Sequence, residues 1–176
     1  MNDNVSIRLI TEEDTPKVVA WRNAPSVVDQ FIYRTPLTEE GHLKWFRERI
    51  MTGEVVQFII TDTETNTDVG SVYFRDIDRQ NKKCEYGIFI GEESCRGKGI
   101  GSKAAKLALD YAFSQLGMNR IFLRVFAKNP RAIKSYENAG FKYEGKFRED
   151  VIIDGKAYDM VFMAILKDEW KKGTKE

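Results

Sequence analysis

Cys84-Glu85-Tyr86-Gly87-Ile88-Phe89-Ile90 alternates like a strand, and after the link Gly91 to Cys95 comes Arg96-Gly97-Lys98-Gly99-Ile100-Gly101. The alternation puts Cys84, Tyr86, Ile88 and Ile90 on one face and Glu85, Gly87 and Phe89 on the other. Beyond the glycines, Ile100, Ala104, Leu107, Ala108, Tyr111 and Ala112 recur at helical spacing. A glycine-rich loop therefore joins a strand to a helix N-terminus, where free backbone N–H groups and the positive end of the helix dipole favour an anion. Glycine lets a phosphate approach those amides, and Arg96 and Lys98 add charge.

Working outward, Val5 to Ile10 is strand-like, and a helix capped by Thr11 or Asp14 runs to about Trp21 before Asn23-Ala24-Pro25 breaks it. Thr38 opens a second helix with a Leu43, Phe46, Ile50 stripe, ended by Gly53. Val55–Thr61 and Val69–Ile77 read as strands around the polar run Asp62 to Asp68, and Asp78 to Lys83 is a turn. Ile121–Phe126 is a strand, followed by a helix with Asn129 as N-cap, Pro130 at its first position and Gly140 as its stop. Phe141 to Leu166 reads as a hairpin turning at Asp154-Gly155, and a short charged tail ends the chain. The order predicts an α/β (α+β) sheet with helices packed on it, one domain over residues 1–176 with an ordered core of about 5–166.

Composition excludes several classes. Of 176 residues, 42% are apolar, enough for a core, and 28 Lys and Arg against 27 Asp and Glu lack the basic excess of a general nucleic-acid binder. No apolar run approaches the roughly 18 residues of a membrane span. The acidic Met-Asn-Asp-Asn start lacks the basic and apolar regions of a signal peptide, so a cytoplasmic location is expected. Cys84, Cys95 and the single His42 do not make a structural zinc set, and both thiols are expected to be free. With only His42 available, a Ser or Cys nucleophile scheme has poor support, and His42 is expected on a helix surface or at the substrate side.

The loop itself discriminates. Gly97-Lys98 is followed by Gly99 and Gly101 by Ser102, so no Walker-type Gly-Lys-Ser/Thr exists; the dinucleotide pattern also fails, because Ser102 stands where its third glycine belongs. Arg96, Gly99 and Gly101 instead resemble the pyrophosphate loop Arg/Gln-x-x-Gly-x-Gly/Ala of the GNAT family of acetyl-coenzyme A dependent N-acetyltransferases. The segment from Asn129 through Ala132 and Tyr136 to Gly140-Phe141 is similar to that family's second signature.

That resemblance implies a mostly antiparallel central sheet, acetyl-coenzyme A as cofactor and no metal. It implies that Ile88, Phe89 and Ile90 pair through their backbone with the pantetheine arm, while Arg96, Gly97, Lys98, Gly99, Ile100 and Gly101 hold the pyrophosphate and Asn129 both caps its helix and touches the arm. Tyr136 is implied as the acid for the departing thiolate, and Glu85 as the base that deprotonates the amine, directly or through water.

The N-terminal third would build the acceptor side, with Trp21, Arg22, Asn23, Phe31 and Tyr33 as candidate substrate residues; aromatic and cationic groups together suit a planar or anionic acceptor. The Trp-Arg-Asn triplet, Gln30-Phe31, His42-Leu43 and Cys84 to Gly87 resemble a branch that acetylates nucleotide-linked amino sugars, whereas Gly145 to Arg148 and Tyr158 to Met160 are similar to ribosomal-protein N-terminal acetyltransferases. A small-molecule amine is the expected partner of a monomer or homodimer. A peptide amine, or a silent acyl-coenzyme A sensor, is the alternative.

Overall fold

In the computed structural model, which describes residues 4–173 and side chains as far as 170, the alternating stretches become seven strands. They are β1 (Val5–Leu9), β2 (Val56–Asp62), β3 (Thr67–Asp78), β4 (Lys83–Ile90), β5 (Arg120–Phe126), β6 (Lys142–Ile153) and β7 (Lys156–Leu166). They form one sheet in the order β1-β2-β3-β4-β5-β7-β6. Every neighbouring pair is antiparallel except β4 and β5, which are parallel and joined through a helix. The helices are α1 (Thr15–Asn23), α2 (Pro25–Val28), α3 (Glu39–Trp45), α4 (Ile100–Ser114), α5 (Pro130–Asn138) and α6 (Lys167–Gly173).

Local chemistry sets the ends. The Thr38 Oγ1 accepts from the Gly41 N–H at 3.0 Å, and the Asn129 Oδ1 from the Ala132 N–H at 3.1 Å, so each side chain satisfies a first-turn donor. Positive φ at both Asp154 (51°) and Gly155 (75°) makes the β6–β7 connection the expected type I′ turn.

Three stretches differ from expectation. The first helix breaks at Asn23-Ala24-Pro25 as expected, with Ala24 extended, but Pro25 at once starts the short α2, because proline is tolerated at a first helical position. In α4 the buried arc takes in Ala105, Leu109 and Phe113 and leaves Leu107 39% exposed, a rotation that the 3.6-residue period permits. The charged tail begins as α6, and its Trp170 packs on the main core near Phe113; residues 174–176 lie outside those described.

The strand alternation sorts side chains onto two faces. Phe58, Ile60, Val72, Phe74, Cys84 and Tyr86 pack with Ala104, Ala108 and Ala112 of α4 in the larger cluster. Ile59 and Phe89 pack with Val18, Trp21, Val27 and Phe46 on the opposite face. Small residues on α4 let it lie close to the sheet.

One irregularity positions the site. β4 and β5 pair only at Lys83–Arg120, Cys84–Ile121 and Glu85–Phe122. From Tyr86 onward β4 leaves its parallel neighbour, and its backbone is open on that side.

Candidate functional site

The opening between β4 and β5 is a cavity of about 750 Å³, lined by Glu85 to Ile90 on one wall and by Arg124, Val125 and Phe126 on the other. Gly97, Gly99 and Gly101 form one end, and Asn129, Ala132 and Tyr136 come in from α5. Gly99 is the N-cap of α4 at φ 79°, a left-handed conformation natural to glycine, and a Cβ there would meet nothing within 4 Å. The first hydrogen bond into α4 runs from the Lys103 N–H to the Gly99 carbonyl at 3.1 Å, so the N–H groups before it are those that a helix leaves without an intrahelical partner.

Several predicted residues stand elsewhere. The Ile100 side chain is 2% exposed in the main core, because the first apolar position of α4 faces the sheet. Lys98 is exposed and does not line the cavity. Arg96 lines it, but its guanidinium turns back to donate to the Ile90 carbonyl (3.0 and 2.9 Å) and to Ser26 Oγ (3.2 Å), bracing the loop against β4 and α2. The cation beside the loop is Arg131, whose Nη2 lies 3.1 Å from where a Gly97 Cβ would be. Asn129 caps α5 as expected, and its amide also donates to Gln30 Oε1 at 2.6 Å.

Glu85 is 5% exposed and both its oxygens are engaged. The Arg75 Nε donates to Oε2 and the Arg124 Nε to Oε1, each at 3.0 Å. Arg75 faces Glu85 directly across the β3–β4 register. Neither arginine was singled out from the sequence, although each lies on the strand face that carries Glu85.

Tyr136 is half-buried at the other wall, its ring 6.2 Å from that of Tyr86 and 6.0 Å from that of Phe141. Burial holds its phenol well above the ordinary tyrosine value, so Oη keeps its proton at neutral pH. Tyr73, also missed, lies over Gly87: a Cβ on Gly87 would be 2.3 Å from the Tyr73 Cζ and 2.4 Å from its hydroxyl. Cys84 is sealed beneath the sheet, and burial pushes its thiol up to about 12, leaving it inert.

A second cavity of about 730 Å³ adjoins the first, sharing Phe31, Tyr33, Tyr73, Arg75 and Phe89 with it. Arg22 lines it with its guanidinium carbon 3.6 Å from the centre of the Phe31 ring. Trp21 and Asn23 do not line either cavity. Trp21 is 5% exposed, donates to Glu92 Oε1 at 2.8 Å and fills the space where a Gly91 Cβ would stand, so it ties α1 to the end of β4. Asn23 pins the following loop by exchanging two 2.8 Å hydrogen bonds with the Leu37 backbone. His42 is no surface residue: it is 2% exposed, with Nδ1 2.8 Å from Thr15 Oγ1.

This opened β4, with a glycine-capped helix behind it, coincides with a family-wide match: residues 4–142 fit the acetyltransferase (GNAT) domain. The chain belongs to the GNAT family. A spermidine N(1)-acetyltransferase from Vibrio cholerae is 27% identical over 171 residues, 97% of each chain. A putative ribosomal N-acetyltransferase from Bacillus subtilis is 33% identical over 102 residues, 58% of this chain and 55% of that protein. The fold superposes with a TM-score of 0.90 at 24% identity on spermidine N-acetyltransferase from Vibrio cholerae, solved with CoA and spermine, covering 97% of this chain and 99% of that one.

This GNAT protein is an acetyl-coenzyme A dependent N-acetyltransferase. The cavity fits that cofactor on its own features: the uncovered α4 N-terminus suits a pyrophosphate, and the unpaired edge of β4 at Ile88 to Ile90 offers backbone partners to an amide-bearing arm. When bound, acetyl-coenzyme A supplies a thioester carbonyl open to a neutral amine.

Proposed function

We propose that the acceptor is a primary amine carried on an anionic small molecule, with a nucleotide-linked amino sugar as the best-fitting class. The observation that carries this is the charge of the walls where the two cavities meet. Arg75 lines both cavities, Arg124 the first and Arg22 the second, and the one buried carboxylate among them is Glu85, while Glu54, Asp76 and Asp78 line the second cavity and are engaged by other groups. A polycation meets repulsion at such a wall, whereas a phosphate-bearing amine is attracted to it.

The same cations act on the nucleophile. An ammonium entering beside Arg75 and Arg124 is disfavoured relative to the free amine, so the site delivers the amine neutral. Glu85, with both oxygens committed, holds the two guanidinium groups in place and is a positioning residue, a role that takes the place of the base that the resemblance implies for it. As the new C–N bond forms and the C–S bond breaks, Tyr136 Oη holds the proton that the departing sulfur takes, and the amine proton leaves to solvent. The backbone from Ile88 to Ile90 orients the thioester arm, and Gly97, Gly99 and Gly101 leave room for the phosphates.

A second reading, polyamine acetylation, is favoured by the relatives named as spermidine acetyltransferases. Steady-state rates with a nucleotide-linked amino sugar and with spermidine separate the two: the anionic acceptor gives the higher kcat/KM here, and a preference for spermidine overturns the assignment. A Vibrio cholerae spermidine N-acetyltransferase is described as a dodecamer, which widens the expectation of a monomer or homodimer. Among the described residues no helix is long and apolar enough to cross a membrane, and a cytoplasmic location remains part of the proposal.

A further inference from the structure

Two polar atoms are buried without a partner beside the second cavity. Among the described residues, only Arg22 Nε, His42 Nε2 and Tyr86 Oη are buried side-chain polar atoms with no hydrogen-bond partner. Arg22 and His42 both line the second cavity. A buried polar group without a partner is destabilising, so two in one cavity are a feature that a ligand would relieve.

Their surroundings specify the ligand. The carboxylates at the rim are engaged: Glu54 pairs with Arg49, Asp78 accepts from Asn81, and Asp76 lies 3.9 Å from Arg75. Arg22 has no carboxylate within ion-pair distance among the described residues; its charge rests on the Phe31 ring. His42 can present an Nε2 donor when Thr15 Oγ1 donates to its Nδ1. Trp45 and Tyr33 add aromatic surface to the same cavity.

We infer that the second cavity is an anion subsite in which Arg22 Nε and His42 Nε2 bind the phosphate oxygens of a nucleoside diphosphate carried by the acceptor, with the base against the aromatic wall. The subsite rests on the acceptor class proposed above and narrows it. It separates recognition, at Arg22 and His42, from chemistry at Tyr136. Both ends share the wall of Tyr73, Arg75 and Phe89, which sets the distance from phosphate to amine.

The test is calorimetry on protein saturated with coenzyme A, which blocks the cofactor's own nucleotide site, titrated with uridine diphosphate, adenosine diphosphate, inorganic pyrophosphate and spermidine. A nucleoside diphosphate should bind one to one and inhibit competitively against the amine acceptor. Arg22→Gln should weaken that binding by about tenfold or more and His42→Gln by a smaller factor, with Arg22→Lys in between. Unchanged coenzyme A affinity and melting temperature show that the variants fold. No binding of any phosphate, or binding indifferent to Arg22→Gln in a folded variant, overturns the subsite. If an anionic acceptor is acetylated but its KM ignores Arg22→Gln, the subsite alone fails; if spermidine is preferred, the acceptor class fails with it.

Discussion

Arg75 and Glu85 face each other across β3 and β4, and the Arg75 Nε donates to Glu85 Oε2 at 3.0 Å while the opposite oxygen takes Arg124. The carboxylate therefore stands between two cations at the point where β4 leaves β5.

Glu85→Gln keeps the shape and removes the charge that balances both arginines. Breaking a buried pair costs up to about 3–5 kcal/mol, and less where the cations are partly exposed as here. The melting temperature should fall and kcat should drop less than about a hundredfold, whereas a drop of about 10²–10⁴ at unchanged melting temperature would make Glu85 a general base.

His42 is the chain's single histidine, and burial, helped by Arg22, pulls its value below the ordinary 6.5. The unfolded chain then binds the proton more readily than the folded one, so the His42 contribution to stability is complete above about pH 6.5 and is lost as pH falls through the lower folded value. Melting temperature should decline from pH 7 toward pH 5, and His42→Gln should flatten that decline. An identical slope in the variant would contradict it.

Gly87 has no room for a methyl group under Tyr73. Gly87→Ala forces the ring aside, at a cost of about 1–3 kcal/mol. Thermal melting should show the loss, and KM for the acceptor should rise because Tyr73 belongs to the wall shared by both cavities; an unaffected KM would remove Tyr73 from that wall.

Gly99 has open space where a side chain would point. Gly99→Glu costs backbone strain of roughly 1–2 kcal/mol and places a carboxylate at the α4 N-terminus, where it competes with a bound pyrophosphate. Calorimetry should show coenzyme A binding lost in a folded variant. Retained binding would move the pyrophosphate away from this loop.

The strand, loop and helix from Cys84 were legible because period-2 and period-3.6 patterns meet at glycines with nothing else to explain them, and Asn129-Pro130 with Gly140 punctuated α5 residue by residue. What escaped were contacts made across the sheet. Arg75 and Arg124 reach Glu85 from two other strands, and Tyr73 reaches Gly87 through register, which no local pattern encodes. The packing of Trp21 escaped for a related reason: an aromatic beside an arginine suits an acceptor in sequence, and only Gly91, a neighbour distant in the chain, shows the ring lying against the end of β4.

The most direct measurement is release of free coenzyme A thiol from acetyl-coenzyme A in the presence of a nucleotide-linked amino sugar, spermidine or a short peptide with a free N-terminus, for the native chain and Tyr136→Phe. The amino sugar should raise the rate well above background hydrolysis, and the phenylalanine variant should lose about 10²-fold or more in kcat with its KM little changed. A native rate that responds only to spermidine or to the peptide, or a Tyr136→Phe variant as fast as the native chain, would contradict the assignment.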